Sequence, residues 1–340
     1  MDMLEAIDCI GLQRAFHHLQ GLSLRQQQHQ LTQPSSQPEL ITRNSIEWKL
    51  KWLRAIEECL GPPVPGERVG LPYAGAVRLM RVSYFRPGLG RGRRYARANG
   101  PYYDLPTVGR RQSSLSAQGC PRSLRGFLYS SFCSDLDVVN AHPHLILWLG
   151  TRLGAKRTDA LRDYVTRRNE WIDEVAAFHK LPSGSSRDLV KRLILRLCYG
   201  GAYNAWLRDV GLDVNERKSP RVLSLDADVR TIRAALFASP DWSEECEALR
   251  AHVISTRGVQ GAALERSVFS HVIQRFEDDA LTLAETVAKN FGIRVLALCH
   301  DGLIVVRHER VGQFVKLVEA QIYERMGVAL SFCEKPFEAT

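Results

Sequence analysis

The chain has 340 residues, 45% of them hydrophobic, enough for one large or two ordinary domains around a substantial core. Its 46 Lys and Arg against 37 Asp and Glu give a formal charge of +9, which favours nucleic acid as the partner class. Eight scattered cysteines without a C-x-x-C pair argue against a disulfide scaffold or zinc site, while acidic Asp2, Glu5 and Asp8 and the lack of any long apolar run argue against a signal peptide and a membrane partner. An intracellular protein with reduced thiols is expected.

Residues 1 to about 24 carry the pattern of a short amphipathic helix, and the Pro/Ser stretch at 34–38 has linker composition, so the first folded domain is expected to start near residue 40. Residues 47–60 are helical in pattern and stop at Gly61-Pro62-Pro63. The segment 80–126, rich in Gly and Arg, predicts a loop-rich basic surface. Next comes Ser134-Asp135-Leu136-Asp137-Val138-Val139-Asn140-Ala141-His142-Pro143, then the apolar run 144–149, which places Asp137 where a strand ends and a helix begins. Helical periodicity marks 158–180, 185–199, 225–237, 263–290 and 310–325. Two β-branched and aliphatic runs within 294–307 flank His300-Asp301-Gly302, the pattern of a tight hairpin with Asp301 at its tip, and 328–333 reads as a further strand. The fold class is α+β, with a small antiparallel sheet covered by helices.

Two aspartates separated by a basic helix suit nucleotidyl transfer. That reaction uses two divalent ions about 3.5–4 Å apart, one activating a 3′-hydroxyl and one stabilising the leaving pyrophosphate. Two Mg²⁺ ions would be bridged by Asp137 and Asp301, with the Val138 carbonyl as a further ligand. Residues four apart advance about 400° on a helix, so Arg187, Lys191, Leu195 and Tyr199 spiral along one face. Such a face can hold a nucleoside triphosphate lengthwise: Arg187 at the outer phosphates, Lys191 at the α/β bridge as proton donor to the leaving group, Tyr199 at sugar and base. Taken singly, Asp137 is equally a helix cap, Asp301 a turn residue, and the basic helix a solvated face.

With these motifs in order, the chain resembles the family-A DNA polymerases and the related phage-type single-subunit RNA polymerases. Their second motif is similar to Arg187-x-x-x-Lys191-x-x-x-Leu195-x-x-x-Tyr199-Gly200, with an aromatic residue in place of Leu195. Their first motif resembles Asp137 to Pro143, and their third His300-Asp301, where the family often has Glu instead of Gly302. Arg93 and Arg94, with 115–118 and 122–125, are similar to segments ahead of the first motif. Arg266 and Gln274 resemble a helix that touches the primer-template minor groove, with Ser270 in place of the family's Asn. The resemblance covers roughly residues 90–335.

The resemblance implies a polymerase palm with a small antiparallel sheet, helical fingers and a reduced or absent thumb. The expected division is 1–40 (N-terminal helix and linker), 41–90 (helical, thumb-like), 91–150 (palm with the first motif), 151–260 (fingers) and 261–340 (palm with the third motif). It further implies catalysis by Asp137, Asp301 and Lys191; nucleotide binding by Arg187, Lys191, Leu195, Tyr199 and His142; and nucleic-acid binding by Arg93, Arg94, Gln118, Arg125, Arg266, Gln274 and His300. His142 stands where the family discriminates the sugar, and an imidazole there can either block a 2′-hydroxyl or bond to it. A DNA-directed DNA polymerase acting on primer-template with dNTPs is the leading expectation. A primase or RNA polymerase with the same site and an inactive nucleic-acid-binding homologue are the alternatives. The short region ahead of the first motif leaves no room for a proofreading domain, and low processivity or dependence on an accessory replication protein is expected.

Overall fold

The computed structural model describes residues 2–32, 45–86, 93–98, 115–215 and 217–338, with the side chains of 26–32, 97 and 98 excepted. The linker expected at 34–38 lies outside the described residues. The chain opens with a strand, β1 (Asp2–Asp8), where the sequence suggested helix; α1 (Cys9–Thr32) begins only after it. β1 pairs antiparallel with β3 (Ala76–Phe85), which also pairs with β2 (Pro63–Pro65) and β4 (Tyr95–Ala98). The basic segment after residue 80 therefore contains sheet. The helix α2 (Ile46–Cys59), capped by the Ser45 hydroxyl, buries Trp48 and Trp52, and α3 (Arg122–Tyr129) buries Leu124 and Leu128.

A second antiparallel sheet carries Asp137 and leads into the turn that carries Asp301. Its order is β6 (Val295–Cys299), β7 (Gly302–Val306), β5 (Cys133–Val138) and β8 (Phe332–Lys335). β7 is central and buried throughout, matching its unbroken aliphatic run. On β5, alternation sends Leu136 and Val138 into the core and leaves Asp135 and Asp137 half-buried on the other face. α4 (Ala141–Arg152) follows, so the expected strand-to-helix junction at Asp137 is present. The long helix α11 (Gly261–Phe291) packs against α4, α12 (Val311–Met326) and β6.

The helical layer comprises α5 (Asp159–Thr166), α6 (Arg168–Phe178), α7 (Ser186–Cys198), α8 (Tyr203–Asp209), α9 (Pro220–Ala238) and α10 (Ser243–Arg257). The single helix read over 158–180 is thus two. The turn between them is fixed by Asp163, which accepts from Trp171 Nε1 at 2.9 Å and pairs with Arg167. Buried Asp228 on α9 accepts from the Ala160 and Leu161 amides at 2.8 and 3.1 Å, supplying the cap that α5 lacks locally. The architecture is the expected α+β one, helices around small antiparallel sheets, in a single continuous core.

Candidate active site

Two strands of the second sheet bring the key aspartates together. Asp137 pairs across the sheet with Gly302, and the Val138 amide donates to the Asp301 carbonyl at 3.0 Å. Cys299 pairs with Gly302, so His300 and Asp301 form a two-residue hairpin turn, with His300 in the left-handed region at φ 59°. A Cβ on Gly302 would lie 2.4 Å from the Leu136 carbonyl oxygen and 3.0 Å from Asp137 Oδ1. The Glu that the family often carries here has no room in this hairpin.

Asp135, Asp137 and Asp301 line one cleft with Arg125 and Lys335. Burial, reinforced by the Asp137 and Glu277 charges, pushes the Asp301 carboxyl up to about 6, with His142 opposing. Lys335 pairs with Asp137 Oδ2, an ammonium at the point where negative charge accumulates. Hard oxygen donors with excess negative charge suit a hard divalent cation. Among the described residues, no three His, Cys, Asp or Glu side chains close on a common point, so a cation held here would rely on the two aspartates with backbone or solvent oxygens.

Beside the cleft, His142 on α4 meets Tyr199 at the end of α7: Nε2 lies 2.6 Å from the Tyr199 hydroxyl and 3.1 Å from Glu277 Oε1. Arg93 completes the group, donating from Nε and Nη2 to Glu277 at 2.7 and 2.8 Å. Burial alone would raise the Glu277 carboxyl, but bonding to His142 and the Arg93 charge hold it below its ordinary value. Burial raises the Tyr199 phenol, keeping it a neutral donor. Gln274 bonds to Tyr199 and donates to the Ser270 hydroxyl at 3.0 Å, so Ser270, in the place of the family's Asn, holds this glutamine.

Arg187, Lys191 and Leu195 lie on α7 as expected. Arg187 donates to Asn169 at 2.6 Å, Lys191 is 3.3 Å from Asp188 on its own helix, and Leu195 is 44% exposed. Two cations with only exposed partners and an uncovered apolar side chain leave this face open to a ligand.

Two expected nucleic-acid contacts need correction. Arg94 is buried and ion-paired with Asp278 and Glu285, while Arg86 also pairs with Asp278 at 2.6 Å. Gln118 is buried, donating to the Arg94 and Leu298 carbonyls and accepting from the Ala96 amide. Both side chains spend their polar groups inside the protein, fastening β4 to α11 and β6. Arg93 is likewise held by Glu277, whereas Arg125, 3.7 Å from Asp135, lines the cleft. His300 packs edge-on to Tyr95. Arg266 lies half-buried against Gly200.

Sequence reasoning missed Glu277, Lys335, Asp135 and Arg168. Asp135 was findable, being two residues from Asp137 and hence on the same strand face. Arg168 neighbours His144, Tyr164 and Cys333, and its Nε is buried without a hydrogen-bond partner. Tyr164 in turn donates to Asn140 at 3.4 Å, just after the Asp137 strand. No local signal marked Glu277 or Lys335, because their partners lie more than a hundred residues away.

Comparison with known proteins fits this geometry. The fold is that of a polymerase domain. The chain superposes on the POL domain of Pol1 from M. smegmatis, solved in complex with DNA primer-template and dNTP, with a TM-score of 0.53 and 13% identity over 96% of this chain and 66% of that one. In sequence it is 28% identical over 239 residues to the putative helicase V13 of Sputnik virophage, a match that takes in 67% of this chain but only 28% of that protein. No family model matches.

Proposed function

We propose that the chain is a template-directed nucleotidyl transferase, specifically a DNA-directed DNA polymerase that depends on two Mg²⁺ ions. The observation that carries this reading is the placing of Asp137, on β5, beside Asp301, in the turn that leads into its partner strand β7, with the Asp301 carboxyl raised by burial and by the Asp137 and Glu277 charges. Lys335 offsets part of the charge on this pair of acids, and a cation joining the two carboxylates would offset the rest. Bound there, the two ions would activate the primer 3′-hydroxyl and offset charge on the leaving pyrophosphate. The protein groups do the rest. Arg187 binds the outer phosphates, and Lys191 sits at the α/β bridge with a proton on Nζ to give to pyrophosphate. Tyr199 supports sugar and base, and His142, held by Tyr199 and Glu277, faces the sugar.

A second reading keeps the site but makes it a primer-synthesising module, a primase or RNA polymerase. The relative named as a putative helicase favours it, since this chain spans only 28% of that protein. The present chain contains no Gly-Lys dipeptide and so no G-x-x-x-x-G-K-[ST] phosphate loop of its own. An association of polymerising and unwinding segments in one longer protein would suit replication.

Extension of a labelled primer on a DNA template, with dNTPs and with NTPs, and a parallel reaction lacking primer, separates the readings. Template-dependent addition of dNTPs to a primer supports the DNA polymerase, and NTP polymerisation without primer supports the primase. Salt-sensitive DNA binding without either product would leave an inactive homologue.

A further inference from the structure

Thirteen residues beyond Arg187, at the opposite end of α7, Gly200 follows Tyr199 with φ at 70°. Two arginines from different helices, Arg233 of α9 and Arg266 of α11, close over it. A Cβ at Gly200 would stand 2.3 Å from Arg233 Nη1 and 2.8 Å from Arg266 Cγ, so glycine makes both the turn and the floor. Arg233 Nη1 is buried with no hydrogen-bond partner, and no salt bridge to Arg233 or Arg266 forms among the described residues. Their neighbour Arg230 is committed to Asp226, at 2.5 Å. Burial lowers the affinity of Arg233 for its proton and the Arg266 and Arg230 charges lower it further, with the more distant Glu265 and Asp226 charges opposing but making no salt bridge to it.

Half-buried guanidiniums without a directly bonded anion reduce the stability of the free protein, and a phosphate between them would relieve the repulsion through charge-assisted bonds. The triphosphate face is not the source of that phosphate: α7 rises 1.5 Å per residue, putting Gly200 roughly 20 Å from Arg187, well beyond the length of a triphosphate. We propose that Arg233 and Arg266 form a separate anion site over Gly200 that grips a backbone phosphodiester of the bound template strand next to the nucleotide being copied. This rests on the polymerase reading for the identity of the strand. On the same face of α11, Ser270 and Gln274 continue one and two turns from Arg266 toward Tyr199, so the strand would run from the arginine pair to the nucleotide site.

The test is binding of a fluorescent primer-template with a single-stranded overhang, read by anisotropy from about 50 to 200 mM salt, for the intact chain, Arg233→Gln, Arg266→Gln and Arg230→Gln. Arg233→Gln is expected to weaken binding about tenfold and to reduce the salt slope by about 0.7–0.9, the value for one lost phosphate contact, with a melting temperature equal to or above the parent's. Arg266→Gln should behave alike, Arg230→Gln should leave the slope unchanged, and binding of inorganic pyrophosphate should be unchanged in all three. An unchanged slope in Arg233→Gln would overturn the proposal, as would loss of pyrophosphate binding with DNA binding intact, which would assign the pair to the nucleotide. Should Arg233→Gln fail to fold, Arg233→Lys keeps the charge but not the planar fork. Weaker binding at a retained slope then supports the site, and parental affinity contradicts it. Binding is read without turnover, so an inactive polymerase and an absent phosphate site give different results.

Discussion

Glu277 offers the sharpest perturbation, because one buried carboxylate holds both a basic residue of the β3–β4 region and the histidine beside Tyr199. Its side chain is 2% exposed and accepts two bonds from Arg93, itself 11% exposed, and one from His142. Truncation to Ala leaves two buried donors without their anion, and breaking a buried pair in this way costs about 3–5 kcal/mol. Glu277→Gln keeps the volume and one acceptor, so the loss should be nearer about 1–3 kcal/mol, the range for a buried donor left unsatisfied. Replacing both members, Glu277→Leu with Arg93→Met, removes the uncompensated charge and should recover most of the loss. Urea unfolding of the two single variants and the double variant gives a cycle with an expected coupling of at least about 2 kcal/mol. Loss of less than about 1 kcal/mol in Glu277→Ala, or strict additivity in the cycle, would refute the view that this carboxylate is a buried keystone.

Other outcomes follow from individual contacts. Glu5 is fully buried among Tyr84, Tyr129 and the Ala117 amide, and burial pushes its carboxyl from 4.5 up to about 7. The folded state therefore holds this proton more tightly; its contribution is complete below pH 4.5 and disappears as pH rises through 7. Relative to Glu5→Gln, the parent should lose about 3 kcal/mol between pH 4.5 and 8, whereas a pH-independent difference in urea unfolding would count against it. Gly302→Ala forces a methyl to 2.4 Å from the Leu136 carbonyl, and should cost about 1–3 kcal/mol and abolish extension; a fully active variant would mean that the hairpin readily shifts. Asp228→Ala removes the acceptor for two α5 amides and should lower stability by about 1–2 kcal/mol in thermal unfolding, without changing nucleotide affinity.

The parts legible in the sequence were those specified locally. The Asp137 junction was readable because alternation on β5 gives way to the apolar run of α4, and the Asp301 hairpin because a two-residue polar turn separates two aliphatic runs. β1 was not readable: its sequence DMLEAID places an acid at a core position, acceptable only because Tyr84, Tyr129 and the Ala117 amide, far along the chain, satisfy Glu5. For the same reason a Gly/Arg-rich stretch looked like an open basic surface, although Arg86, Arg93 and Arg94 find their carboxylates on α11, more than 180 residues away. The last strand was expected at 328–333 and forms at Phe332–Lys335, since pairing with β5 fixes it. In the site, motif spacing pointed to residues with chain-local signatures, whereas Glu277, Lys335 and Arg233 acquire meaning only from what folds against them.

The central claim is that Asp137 and Asp301 jointly hold the metal ions for nucleotide addition. Single-turnover incorporation of one dNTP into a primer annealed to DNA, with Mg²⁺, tests it for the intact chain, Asp137→Asn and Asp301→Asn, each checked for unchanged fold and primer-template binding. Template-dependent addition is expected for the intact chain, with a fall of about 10³-fold or more in each variant, the scale of about 4 kcal/mol of lost transition-state stabilisation. Addition at the parental rate by either variant would contradict it.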